Sequence, residues 1–340
     1  MKKASIRLLF ACGLCTTITS SSNAVETKKI FLGYFEAGRY AVHSVLREEF
    51  ERQAELVAPA GAEFVFIPQG YRSAGWKRDS CRIFASQLVV VDRVDVMITM
   101  GPWVVEDLLS AGFKKPILAM YRFEPQAEGL VDNAGNPRWP NLTVHGKTSK
   151  IESDLTAIAG LFHPKKLGFL FFPSGGERDS VVNGVAFLAR RLNMEISNAD
   201  GVDNFGSFAF FREFENLPKD IDALYVGPLW GLDDQKMSAF FDRLATAGIP
   251  VFAYDASPTI QFGALVSNAG YTYIAEARFN AEKLIQIIDK ERPSDLPTGF
   301  APTVGLTINL KSLRLTKTTL PSEALREALH YGSSIPEDAE

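Results

Sequence analysis

The feature that most constrains this chain is an alternation that runs twice along its 340 residues. Short apolar runs with the character of buried strands lie at 30–34, 63–68, 94–100, 117–121, 167–172, 195–198, 223–226, 251–254 and 263–267. Amphipathic stretches of helical period separate them, at roughly 40–57, 78–92, 103–111, 149–162, 179–192, 234–247 and 272–290. Strands that alternate with helices build a parallel sheet with crossover helices on both faces. Runs such as VDVMIT and LGFLFF read as strands buried on both faces. One βα set occupies 29–143, a polar interlude at 143–149 holds Gly146, and a second set occupies 150–266. Each set has about the length of a domain. The expected fold class is therefore α/β, with two parallel-sheet lobes and a cleft between them. In open parallel sheets ligands gather outside the carboxyl ends of the strands, and that rule selects the residues to inspect.

The first residues have a different character. Lys2, Lys3 and Arg7 precede a short apolar run from Leu8 to Ile18, and Ser22 and Ala24 supply the small residues of a cleavage site. This is the layout of a cleavable secretory signal, too short to span a bilayer, with cleavage expected after Ala24. The alternative, a lipoprotein box at Leu9-Phe10-Ala11-Cys12, leaves only a few apolar residues before the cysteine. Removing residues 1–24 takes away three basic residues, so 33 Lys and Arg face 40 Asp and Glu and the net charge is −7. That balance offers no basic patch for nucleic acid. Cys12 and Cys15 lie in the signal and leave Cys81 without a disulfide partner. No later run is long and apolar enough for a membrane helix. The expectation is an exported, periplasmic, monomeric product with no cofactor and no metal.

Two stretches echo each other at the strand ends. MITMGPWVVEDLL carries Gly101, Pro102 and Trp103, and ALYVGPLWGLDDQ carries Gly227, Pro228 and Trp230. The other strand ends in the first set are Tyr34-Phe35-Glu36, Gln69-Gly70-Tyr71 and Tyr121-Arg122-Phe123-Glu124. In the second set they are Pro173-Ser174-Gly175-Gly176-Glu177 and Tyr254-Asp255-Ala256. Tyrosine and tryptophan give rigid contact area with one polar atom for a directed hydrogen bond, and loops at sheet ends are ordinarily polar. This aromatic set therefore reads as a ligand wall, against the alternative that each ring closes the core over the sheet. Glycine permits close backbone approach and proline suits a first helical turn; the pairs also read as strand-to-helix punctuation. FPSGGERDS fits an anion-binding turn or a flexible turn capped by Ser174 or Asp179. Asp255 suits either an amine or hydroxyl of a ligand or a helix cap; Glu36 and Glu124 are similar candidates.

Catalytic motifs are missing from the sequence. There is no P-loop and no G-x-G-x-x-G, no H-E-x-x-H, and no G-x-S-x-G elbow. His43, His145, His163 and His330 have no ligand spacing. The chain reads as a non-enzyme.

The segments KIESDLTAIAGLFHPKKLGFLFFPSGGERDS, IPVFAYDASPTIQFGALVS, YTYIAEARFNAEKLIQIIDKERPSDLP and VGLTINLKSLRLTKTTLP, in that order, resemble the ABC-transporter substrate-binding family related to tryptophan/phenylalanine-binding (TrpX-like) proteins. The resemblance covers about residues 29–321. It implies a type I periplasmic-binding-protein fold, two α/β lobes joined by a three-crossover hinge. Its lobes would be 25–143 plus 268–298 and 144–267 plus 299–320, after a signal at 1–24 and before a tail at 321–340. In amino-acid-binding members small hydroxyl residues hold the ligand carboxylate and an acidic residue near FA-x-D holds the amine; Ser174 and Asp255 match. The chain departs from that pattern at Gly101-Pro102-Trp103 and at Gly227-Pro228-Leu229-Trp230, where bulky apolar residues replace polar turns.

The reading that follows is a periplasmic solute-binding protein that captures an apolar or aromatic small molecule and delivers it to an inner-membrane transporter or receptor. Trp103 and Trp230 would be opposing walls, Tyr34, Phe35, Tyr71, Tyr121 and Tyr254 supporting contacts with Pro102 and Pro228, and Asp255, Ser174, Gly175, Glu36 and Glu124 the polar contacts. Two alternatives keep the fold: a periplasmic lipid carrier, sterol-like ligands included, that serves a non-ABC membrane system, and a sensory module that docks on a receptor.

Overall fold

The structure, a computed structural model, describes residues 27–147, 149–171, 178–198, 215–255, 257–269, 273–301 and 304–332. The first sheet contains β1 (Lys28–Glu36), β2 (Ala62–Ser73), β3 (Val96–Met100), β4 (Ile117–Arg122), β5 (Leu142–Lys147) and β11 (Gly299–Phe300), in the order β11-β5-β4-β3-β1-β2. All of its recorded pairings are parallel. The second sheet contains β6 (Lys166–Leu170), β7 (Glu195–Asn198), β8 (Ala223–Val226), β9 (Val251–Ala253), β10 (Val266–Ala269), β12 (Val304–Asn309) and β13 (Leu329–Tyr331), in the order β13-β12-β10-β9-β8-β6-β7. It is parallel except where β12 runs against β10.

Both sheets begin with the same strand order. In each, the second strand lies outside the first and the third lies on the first strand's other side, so the order reverses between first and third. That reversal is a topological switch point, where the connections leave a crevice. It falls between β1 and β3 in one lobe and between β6 and β8 in the other.

The helices are α1 (Ala41–Val57), α2 (Arg78–Val89), α3 (Val104–Ser110), α4 (Lys150–Phe162), α5 (Arg178–Arg191), α6 (Asp234–Thr246), α7 (Thr259–Phe262), α8 (Ile274–Ile288), α9 (Leu310–Thr316) and α10 (Ser322–Glu327). Local chemistry marks several ends. Asp233 caps α6 by accepting from the Lys236 N–H, and Asn309 caps α9 by accepting from the Ser312 N–H. α1 buries Val42, Leu46, Phe50 and Ala54, one stripe at helical spacing, and packs on α8. α8 thus returns to the first lobe although the second lobe precedes it in sequence. The chain crosses between lobes three times, from β5 to α4, from β10 to α8 and from β11 to β12.

The structure corrects several sequence-based boundaries. The stretch read as a polar interlude, 143–149, is largely β5, whose Thr143 and His145 are buried inside the lobe; polar residues in a covered strand imitate a loop. The first lobe consequently runs to Lys147 rather than 143, and β10 carries the second lobe to Ala269 rather than 267. Residues 299–300, expected in the second lobe, pair with β5 in the first. The tail expected from 321 adds α10 and an edge strand, β13, to the second sheet. Tyr71, expected just past a strand end, lies inside a longer β2 opposite Tyr34.

Candidate functional site

The seam between the lobes is built around one carboxylate. Asp255 follows β9 in the second lobe and is buried. Tyr40, the residue before α1, donates its hydroxyl to Asp255 Oδ2 at 2.9 Å, and Tyr121 on β4 donates to Oδ1 at 2.6 Å. The Tyr40 hydroxyl also accepts from the Leu229 N–H at 3.2 Å. Two rings of the first lobe therefore bond both oxygens of one side chain in the second. Burial raises the Asp255 carboxyl above the usual range; the nearby Lys147 charge and the two hydroxyl donors pull it back down. His43, also buried, lies edge-on to both Tyr40 and Tyr121, with ring centroids 5.2 Å and 5.4 Å away. Burial, assisted by the Arg122 charge, lowers it to about 3.

Beside this clasp lies a layer of lysines and rings. Lys147, at the end of β5, forms an ion pair with Glu276 of α8 at 3.1 Å. Its ammonium sits among the rings of Tyr121, Tyr254 and Tyr273 at 5.8, 5.4 and 5.5 Å from their centroids, within cation–π range. Lys150, in the first turn of α4, is paired with Asp154, and Asp154 also accepts from the Tyr225 hydroxyl at 2.8 Å. Burial lowers Lys150 below the usual lysine range, with Asp154 opposing the shift.

Aromatic rings also meet across the seam. Phe123, just past β4, lies edge-on to Tyr254 at 4.9 Å and tilted against Phe171 at 5.6 Å. Gly227 makes that approach possible: a Cβ there would stand 2.7 Å from Phe171 Cβ and 3.4 Å from Phe123 Cζ. Gly101 answers a different requirement. Its φ of +82° is left-handed, as is the +69° of Trp103 two residues on, a conformation that costs a bulky residue energy. Arg122, buried in an ion-pair network with Glu106 and Glu128, donates to the Gly101 carbonyl and holds the turn.

Toward the hinge the seam opens into a cavity of about 960 Å³. The loop after β4 (Phe123–Ala127, Val131, Asn133–Gly135), the β5–α4 crossing, α5 and residues 298–299 enclose it. Phe123, Val131, Ile151, Val181, Val185 and Leu188 give it apolar lining; Glu124, Lys147, Lys150 and Glu152 give it charge. Burial, reinforced by Glu128, raises the Glu124 carboxyl to about 7.

The sequence-selected residues separate into groups. Tyr121, Tyr254 and Asp255 meet at the seam, and Glu124 lines the cavity. Tyr34, Glu36 and Tyr71 form a cluster of their own: Tyr34 donates to Glu36 at 3.0 Å, its ring stacks on Tyr71 at 5.7 Å, and the Arg47 guanidinium lies 4.4 Å over Tyr34. Phe35 and Trp103 are buried in a hydrophobic cluster with Val104, Cys81 and Leu88, while Trp230 belongs to the other cluster. Pro102 and Pro228 are buried at their turns. Ser174 and Gly175 lie outside the described residues.

Sequence reasoning did not select Tyr40, His43, Phe123, Lys147, Lys150 or Tyr273. Phe123 stood in a strand-end segment and could have been found there. Lys147 was hidden by the misread strand β5, and Tyr40 by a first loop four residues long that ends on it. Among the described residues there is no group of His, Cys, Asp and Glu able to hold a metal, and no helix is long and apolar enough to cross a membrane.

No family model matches the chain, and no curated protein matches it. Solved structures do. An ABC domain in complex with L-Trp from Streptococcus pneumoniae aligns at TM-score 0.73 and 15% identity over 89% of this chain and 99% of that one. A conserved domain protein from Vibrio cholerae aligns at TM-score 0.71 and 17% identity over 89% and 99%. A substrate-binding protein with adhesive properties from Clostridium difficile, in a ligand-free open form, aligns at TM-score 0.60 and 19% identity over 90% and 100%. Two parallel-dominated sheets with helices, matched by neighbours of this kind, give this chain the type I periplasmic-binding-protein fold.

Proposed function

We propose that this chain is an extracytoplasmic solute-binding protein that holds an apolar or aromatic small molecule between its lobes and delivers it to a membrane transporter of the ABC type. One observation carries the reading: the interlobe cavity of about 960 Å³, lined by both apolar and charged side chains. Small-molecule sites are concave, mostly apolar and roughly 300–1,000 Å³ in volume. Phe123 supplies an aromatic ring to its lining, with Phe171 and Tyr254 packed against that ring. The fold supports the transport role, and the L-Trp in complex with the Streptococcus protein supports an aromatic solute.

Gly184 tests the reading. It lies on α5, lines the cavity and has no atom within 4 Å of where a Cβ would stand. Gly184→Phe is expected to place a ring in the cavity while the fold persists. Native mass spectrometry of protein purified from its host is expected to find a small-molecule adduct on the wild type that this variant loses. Equal occupancy in both, with unchanged melting temperatures, would move the ligand out of this cavity.

A further inference from the structure

We propose that the hinge-side cavity is a site for an organic cation, a protonated amine on an apolar body, with Glu124 as its counter-ion. The proposal rests on the solute-binding reading and adds the class of ligand.

The first argument is that Asp255, the buried carboxylate at the seam, is already satisfied by the protein. Both oxygens of Asp255 are bonded to Tyr40 and Tyr121, and the aromatic faces beside it surround the ammonium of Lys147. A ligand amine must therefore find its partner elsewhere in the seam.

The second argument is charge. Four ionisable side chains line the cavity. Lys147 is paired with Glu276, Lys150 with Asp154, and Glu152 reaches Arg191 at 3.9 Å. Among the described residues the Glu124 carboxyl takes no hydrogen bond and no ion pair. Glu124 is half-buried, and a carboxylate partly withdrawn from water without a partner gains from a cation that arrives in the cavity beside it. An anionic ligand would have to break a buried lysine pair or face Glu124. Phe123, Val131, Ile151, Val185 and Leu188 supply the surface for an apolar body.

Protonation then couples to binding. Glu124 faces Glu128 on its own loop and Tyr225 and Tyr254 of the second lobe, and it shares the cavity lining with Lys147 of β5 and with Lys150 and Glu152 of α4. With its carboxyl at about 7, a cation binds the ionised form, so affinity falls by about tenfold between pH 8 and pH 6.

The test uses calorimetry and thermal shift on the full mature chain with matched probes: phenethylamine and tryptamine as cations, phenethyl alcohol and tryptophol as neutral analogues, phenylacetate and indoleacetate as anions. The expected result is preference for the amines, the pH dependence above, and roughly tenfold or greater loss of amine affinity in Glu124→Gln with neutral analogues unaffected. Glu124→Asp restores part of the amine affinity and checks that the loss is one of charge. If neutral or anionic probes bind better than the amines, or Glu124→Gln leaves amine affinity unchanged, the cation assignment is overturned and the solute-binding reading stands. If no probe of any charge binds, the cation assignment falls, and the adduct experiment on Gly184→Phe decides the solute-binding reading separately.

Discussion

His43 shows how a single side chain can report on the seam. It is buried against Tyr40 and Tyr121, and its folded-state value of about 3 lies below the ordinary 6.5. Between those values the unfolded chain binds a proton that the folded chain refuses, so stability is complete above pH 6.5 and declines as the pH falls toward 3. Replacing His43 with Leu is expected to flatten this part of the acid unfolding curve, measured by chemical denaturation from pH 7 to pH 4. The clasp offers a second expectation. Tyr40→Phe removes the bonds to Asp255 and Leu229 and leaves buried partners unsatisfied, at a cost of about 1–3 kcal/mol. Asp255 was legible in the sequence as a polar residue at a strand end. That its partners are tyrosines of the other lobe was not, because contacts between residues 40, 121 and 255 depend on how two sheets face each other.

Among the elements, the alternation of strand and helix was readable because period and burial agree: α1, α4, α6 and α8 each present an apolar stripe, and β3, β4 and β8 are buried along their whole length. β5 escaped because it carries polar residues in a buried position, and periodicity reads polarity rather than burial. The two Gly-Pro stretches were legible as equivalents, yet their glycines meet different demands, left-handed backbone at Gly101 and close ring approach at Gly227. Substitution separates these roles. Gly227→Ala pushes on Phe171 of its own lobe, whose ring packs on Phe123 across the seam, and is expected to cost about 1–3 kcal/mol of overpacking, part of it appearing as weaker lobe closure. Gly101→Ala strains one lobe from within and is expected to lower its melting temperature whether or not the lobes are closed. Thermal melts with and without ligand distinguish the two.

For the whole molecule, the expectations concern how the lobes stay together. With both tyrosines changed, Tyr40→Phe with Tyr121→Phe, Asp255 keeps its burial and loses both donors, so the lobes are expected to separate. Small-angle scattering of the ligand-free protein would register a larger radius of gyration than the wild type; an unchanged value would mean that the ring contacts of Phe123 suffice. The molecular plan, two lobes with a cleft, followed from counting βα units. The cavity did not, because its walls come from a loop after β4, a helix of the other lobe and residues 298–299, segments no sequence pattern brings together.

The three crossings also govern the order of assembly. The first lobe begins at β1 but takes α8 and β11 from residues 274–300, after nearly the whole second lobe has been made. Until those residues arrive, α1 lacks the helix it packs against. The second lobe is likewise open at one edge until β12 returns. Neither lobe can therefore complete its fold from a contiguous stretch, and long-range closure of this kind slows folding. A chain stopped after β10 would present a bare helical face and an unpaired strand edge, an adhesive intermediate rather than half of a working protein.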